Sequence, residues 1–73
     1  MTDEKEIFEA IGQRINQLRK ERNLSFQELA NRSNIEKANL VKLVGGKNTT
    51  VSTLEKIATG LDVHPKELWD FGG

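Results

Sequence analysis

The strongest constraint on how this chain can fold is the stretch from Ser25 to Gly46, where two short helical patterns follow each other with almost no pause. "SFQE" reads as a capping box, with Ser25 at the N-cap and Glu28 three residues on. Leu29 and Ala30 then face inward, and Leu24, just before the cap, is placed to act as a staple residue. The pattern ends near Ser33–Asn34, and asparagine tolerates the positive φ that a tight turn between helices requires. A second pattern runs from about Glu36 to Val44 and is stopped by Gly45–Gly46. Two helices of about nine residues each, joined by two or three, have to cross at a steep angle.

The rest of the chain supplies helices for this pair to pack on. The first spans roughly Asp3 or Glu4 to Arg22, with Ile7, Phe8, Ile11, Ile15 and Leu18 forming one apolar stripe. Gly12 interrupts that stripe and costs about 1 kcal/mol relative to alanine in a helix. "RKERN" places bases where the helix dipole favours them, and Asn23 is suited to a left-handed cap. After the polar loop "KNTT", Thr50 caps a fourth helix carrying Val51, Leu54, Ile57 and Ala58, with Gly60 near its end. "HPKEL" opens a fifth, with His64 at the N-cap, Pro65 at the first helical position and Glu67 at the third. Leu61, Val63 and Leu68 close the bottom of the core. No segment alternates with period two, and no repeat or low-complexity linker interrupts the 73 residues, which suffice for one domain.

Several functions are excluded on residue types alone. No cysteine is present, so no disulfide and no thiolate zinc site can form, and one histidine cannot supply the usual two-histidine metal spacings. The same inventory holds no paired base and nucleophile, so we expect no catalytic residues, no metal and no cofactor. No apolar run approaches the ~20 residues needed to cross a bilayer, and "MTDEKEIFEA" is too acidic and polar for a signal peptide. A cytoplasmic location without membrane contact is expected.

Net charge is zero, but the charges are segregated. Residues 1–10 hold one base (Lys5) and four acids (Asp3, Glu4, Glu6, Glu9). Residues 11–48 hold eight bases (Arg14, Arg19, Lys20, Arg22, Arg32, Lys37, Lys42, Lys47) against three acids (Glu21, Glu28, Glu36). Residues 49–73 return to acid, with Glu55, Asp62, Glu67 and Asp70 against Lys56 and Lys66. A basic middle between acidic ends is what a local anion-binding face looks like, although an ordinary solvated helix surface gives the same pattern.

The steep, tight pair of helices has the geometry of a helix-turn-helix, in which the first helix braces the second and the outer face of the second enters the DNA major groove. Periodicity alone fits an ordinary small bundle equally well. What separates them is an ordered set of short matches: "LRKERNLS", "QELA", "SNIEKANLVKL", the pair Gly46–Lys47, "TLEKIATGLDV" and "PKELWDF". Through these the stretch "IGQRINQLRKERNLSFQELANRSNIEKANLVKLVGGKNTTVSTLEKIATGLDVHPKELWDF", residues 11–71, resembles the phage-repressor and Cro type (XRE-type) of helix-turn-helix family.

The resemblance implies an all-α, compact five-helix, lambda-repressor-like domain, usually dimeric, that binds specific double-stranded DNA sequences. Most such proteins are transcriptional regulators, restriction–modification controllers and antitoxins among them. Residues 1–10 would be an acidic extension of the first helix, and residues 11–71 the DNA-binding domain proper. Carried over by position, the base-reading residues are Glu36, Lys37, Ala38 and Asn39, with Lys42 one turn on. Their chemistry suits base edges. Lysine donates to guanine, asparagine pairs with adenine, glutamate accepts from cytosine, and an alanine methyl meets that of thymine. A helix dipole explains Glu36 equally well. Phosphate contacts are expected from Ser25, Phe26 and Gln27, from Arg32, and from Lys47, Asn48 and Thr49.

Two positions depart from the family pattern. Phe26 stands where relatives usually carry a phosphate-anchoring glutamine, and its ring cannot donate; Gln27 is the nearest substitute. Val44 stands where relatives commonly carry a glutamate paired with the arginine that is Arg19 here, so Arg19 is expected to reach solvent or another acid. An arginine or asparagine is also frequent at Gly45. The acidic leader is expected to lie away from the DNA-reading face, since it repels phosphate. Leu68, Trp69 and Phe71 are either a terminal core plug or an apolar patch closing a twofold homodimer, which would match a pseudo-palindromic site. No small-molecule ligand is expected. The competing reading is an antitoxin-like module that binds a partner protein. A cytoplasmic, nucleoid-associated bacterial or phage regulator is the expectation that follows.

Overall fold

In the computed structural model, which describes residues 3–69, the chain forms four α-helices and a closing 3₁₀ turn. They are α1 (Glu4–Glu21), α2 (Phe26–Ser33), α3 (Lys37–Val44), α4 (Val51–Leu61) and the turn Pro65–Leu68. The expected fifth α-helix is therefore a correction. The segment has His64 as N-cap and Pro65 at its start, but it closes with tight bonds, Glu67 N–H to the His64 carbonyl at 2.9 Å and Trp69 N–H to that of Lys66 at 3.2 Å. A four-residue piece ends before the wider α-helical ring can repeat, and tighter winding is the usual outcome for pieces this short.

Side-chain oxygens cap three of the four α-helices at their N-termini. Asp3 accepts from the Glu6 N–H at 2.8 Å, and Thr50 accepts from that of Thr53 at 3.1 Å. At α2 the capping box is complete: the Glu28 N–H donates to Ser25 Oγ at 3.0 Å, and the Ser25 N–H donates to Glu28 Oε1 at 2.9 Å. These bonds to Ser25, helped by the Arg32 charge one turn on, hold the Glu28 carboxyl below its ordinary pKa. A lowered folded-state pKa means a contribution present above the unfolded carboxyl's pKa and lost as pH falls through the folded one. Ser25→Ala is expected to cost about 1 kcal/mol through loss of the cap, read as a lower urea midpoint with unchanged slope.

All four helices stop in the same way. A left-handed residue (Asn23, Asn34, Gly46 or Asp62) turns the chain. The N–H that follows it reaches back to a carbonyl in the last turn, as from Leu24 to Arg19 at 3.1 Å and from Lys47 to Lys42 at 3.1 Å. Such closures satisfy the last carbonyls of a helix. Asn34, with φ 57°, makes the turn between α2 and α3 only a few residues long.

The core is a single cluster built from Ile11, Ile15 and Leu18 of α1, Leu29 and Ala30 of α2, Leu40 and Leu43 of α3, Leu54, Ile57 and Leu61 of α4, and Leu68. Two glycines let backbones approach closely enough to form it. A methyl group on Gly12 would lie 2.5 Å from the Val44 carbonyl oxygen, so α1 crosses α3 with no side chain between them. Gly60 lies inside α4, and its α-carbon rests against α2, where an added Cβ would meet the buried Ser33 Oγ at 2.3 Å. That hydroxyl has no hydrogen-bond partner among the described residues.

Candidate nucleic-acid interface

α3 is an eight-residue helix with two faces. Leu40 and Leu43 are buried, and Val44 and Ile35 pack half-buried against the core. Lys37, Ala38, Asn39 and Lys42 are all exposed, as is Glu36. Glu36 occupies the N-cap with extended backbone, but its side chain makes no capping bond, so the first backbone N–H groups of α3 have no side-chain acceptor. Val41 is 45% exposed on the same outer face, between the lysines in sequence. It lies three residues after Ala38 and four after Lys37, on one helical strip.

The loop after α3 brings the expected phosphate contacts to this helix. Asn39 and Lys42 of α3, Lys47, Asn48 and Thr49 of the loop, and Thr53 of α4 line one open groove. A second groove runs on from it, with Asn34, Glu36, Asn39, Thr53 and Lys56 in its walls. Thr53 and Lys56 were not expected at the site. Their three-residue spacing on a capped helix was visible in the sequence, but which face of α4 they occupied was not.

Ala30 and Asn31 of α2 line the second groove, while Ser25, Phe26, Gln27 and Arg32 line neither. Ser25 is exposed, with its N–H and one hydroxyl lone pair committed to the capping box. Gln27 is exposed and donates from Nε2 to Asn31 Oδ1 at 2.9 Å, within its own helix. Arg32 is exposed at the end of α2. Phe26 is half-buried and leans on the core cluster.

Of the two things expected of it, Arg19 turns to no acid among the described residues and is only partly open to solvent. Its guanidinium lies over the Phe26 ring at 4.2 Å from the centroid, donates from Nη1 to the Leu24 carbonyl at 2.6 Å, and donates from Nε and Nη2 to Asn16 Oδ1 at 3.2 and 2.9 Å. The two departures from the family pattern are thus coupled: with valine at 44 the arginine has no acid there, and the phenyl ring at 26 gives it a platform. Arg14 is also turned away from the groove. It pairs with Glu67, Nη2 to Oε2 at 3.2 Å, and ties α1 to the 3₁₀ turn.

The acidic leader reaches the loop after α3 but lines neither groove beside that helix. Glu4, Lys5 and Phe8 surround a shallow depression with Gly46 and Asn48, and an added Cβ on Gly46 would touch Glu9 Cγ at 2.8 Å. Half-buried Phe8 extends the apolar stripe of α1 onto the loop, and that packing places the neighbouring carboxylates there. At the opposite end Leu68 is fully buried and offers no surface of its own, Trp69 is 40% exposed, and Phe71 lies outside the described residues.

Comparison with known proteins bears on what this surface does. Residues 14–72 match the family model of the Cro/C1-type HTH DNA-binding domain. No curated protein sequence matches the chain. Among solved structures it is similar to the restriction-modification controller protein C.AhdI from Aeromonas hydrophila, at 32% identity and a TM-score of 0.80, over 84% of this chain and 94% of that one. It is also similar to an HTH_3 family transcriptional regulator from Vibrio cholerae, at 30% identity and a TM-score of 0.86, over 90% of this chain but only 38% of that one.

Proposed function

Because the chain belongs to the Cro/C1-type helix-turn-helix DNA-binding family, we propose that it is a sequence-specific regulator of transcription that inserts α3 into the major groove of double-stranded DNA. One observation carries this reading: Asn39 and Lys42 of the exposed side of α3 share one groove with Lys47, Asn48 and Thr49 of the loop after it, so candidate base donors and phosphate donors lie side by side. Lys37, Ala38, Asn39 and Lys42 read base edges, with Glu36 at the start of the strip. Ser25, Phe26, Gln27 and Arg32 on one flank, and Lys47, Asn48 and Thr49 on the other, meet the sugar-phosphate backbone. Val41 adds an apolar contact of the kind that suits a thymine methyl. Two copies joined through the end that carries half-exposed Trp69 would span two half-sites about one helical turn, ~34 Å, apart.

Selection of bound duplexes from a random pool tests the proposal. A pseudo-palindromic sequence is expected to emerge, and enrichment of no sequence at all overturns it. The same assay separates the roles. Lys37→Ala is expected to change which sequence is preferred, whereas Lys47→Ala weakens every sequence by a similar factor. If the two variants behave alike, the division into base and phosphate contacts is wrong.

A further inference from the structure

We propose that Arg19, held ready on the Phe26 ring, is itself a phosphate contact at the start of α2, in place of the donor that position 26 lacks. This rests on the DNA-binding reading and adds a residue to it that sequence comparison alone assigns elsewhere.

A guanidinium carries five N–H donors in a rigid fork. Three bonds occupy Arg19: one to the Leu24 carbonyl and two to Asn16 Oδ1. One N–H on each of the two terminal nitrogens is left without a partner among the described residues. No carboxylate lies within ion-pairing distance of it there, since the only such pair joins Arg14 to Glu67. Arg19 is therefore a half-buried cation held by three bonds, with no counter-anion among the described residues and two N–H groups without a partner there. A guanidinium with N–H groups to spare matches the oxygens of a phosphate.

Its position completes the case. Leu24 and Phe26, two of the residues that hold it, flank the N-cap Ser25, so the cation sits where the duplex backbone would pass the first turn of α2. Phe26 needs no donor of its own if its ring fixes the donor of another residue. Stacking and the Asn16 bonds also order the long side chain in advance, so little rotamer freedom remains to be lost on binding.

Fluorescence anisotropy on the selected duplex and on an unrelated one, at several salt concentrations, tests this. Arg19→Met is expected to weaken binding about tenfold on both duplexes and to lower the salt slope by about one per protomer. Phe26→Leu keeps the charge, so its slope stays unchanged while affinity falls about threefold, and that fall disappears in the Arg19→Met background. Arg19→Lys covers the case in which Arg19→Met fails to fold: it is expected to retain the slope and still bind more weakly than the native chain. Native slope in a folded Arg19→Met, or native affinity in Arg19→Lys, overturns the proposal. A native chain that binds neither duplex even at low salt instead removes the DNA-binding reading itself.

Discussion

Gly12→Ala is expected to lower the melting temperature by roughly 5–15 °C, although alanine is the better helix former by about 1 kcal/mol. The reason is the crossing of α1 on α3. An added Cβ would lie 2.5 Å from the Val44 carbonyl oxygen, 2.7 Å from that of Leu43 and 2.9 Å from the Val44 carbonyl carbon. All three are backbone atoms, so no rotamer change relieves the contact and α3 has to move as a body. Overpacking of this kind typically costs about 1–3 kcal/mol and occasionally more, enough to outweigh the gain in propensity. Since α3 carries the proposed base-reading strip, DNA affinity should fall together with stability. A thermal melt followed by circular dichroism decides the matter: a rise in melting temperature would mean that propensity wins and that the helices are not in backbone contact at residue 12.

The second large effect is on salt dependence. If each protomer of a dimer neutralises three phosphates, the affinity should fall about a thousandfold as salt rises from about 50 to 200 mM. A chain of zero net charge is a stringent case for this. Long-range attraction to DNA is weak, so a steep slope can come only from bases gathered on one face. Binding that is flat across the same range would mean that Lys37, Lys42, Lys47 and Arg32 do not meet the duplex together.

Much of this architecture was legible beforehand because it is local. The Ser25–Glu28 box, the left-handed Asn34 and the stop at Gly45–Gly46 each depend on residues within a few positions of one another, and all three form as expected. Leu40 and Leu43 are buried, while Lys37, Ala38, Asn39 and Lys42, the positions the family resemblance singles out, are exposed. The last segment was overread because capping signals mark where a helix begins but not whether it has room for a second turn.

What the residues could not disclose is contact across the fold. Gly12 scores as a fault in its own helix and proves to be the point where another backbone passes. Gly60, taken as near the stop of α4, serves the same purpose against Ser33, and the stop itself falls to Asp62. Thr53 and Lys56 join the groove because α4 packs beside α3, and the acidic leader reaches the loop because Phe8 is drawn onto it. Arg19 is the clearest instance. Its lack of an acid at Val44 could be read from position, but its resting place depends on a carbonyl five residues on, an amide three residues back and a ring from the next helix. By itself the sequence determined the helices, their caps and the tight turn between α2 and α3, because those are set by neighbours along the chain. Only the tertiary structure decided which glycines are crossings, which charges share a groove and where an arginine without its acid comes to rest, because those depend on atoms far apart in sequence that packing brings within a few ångströms.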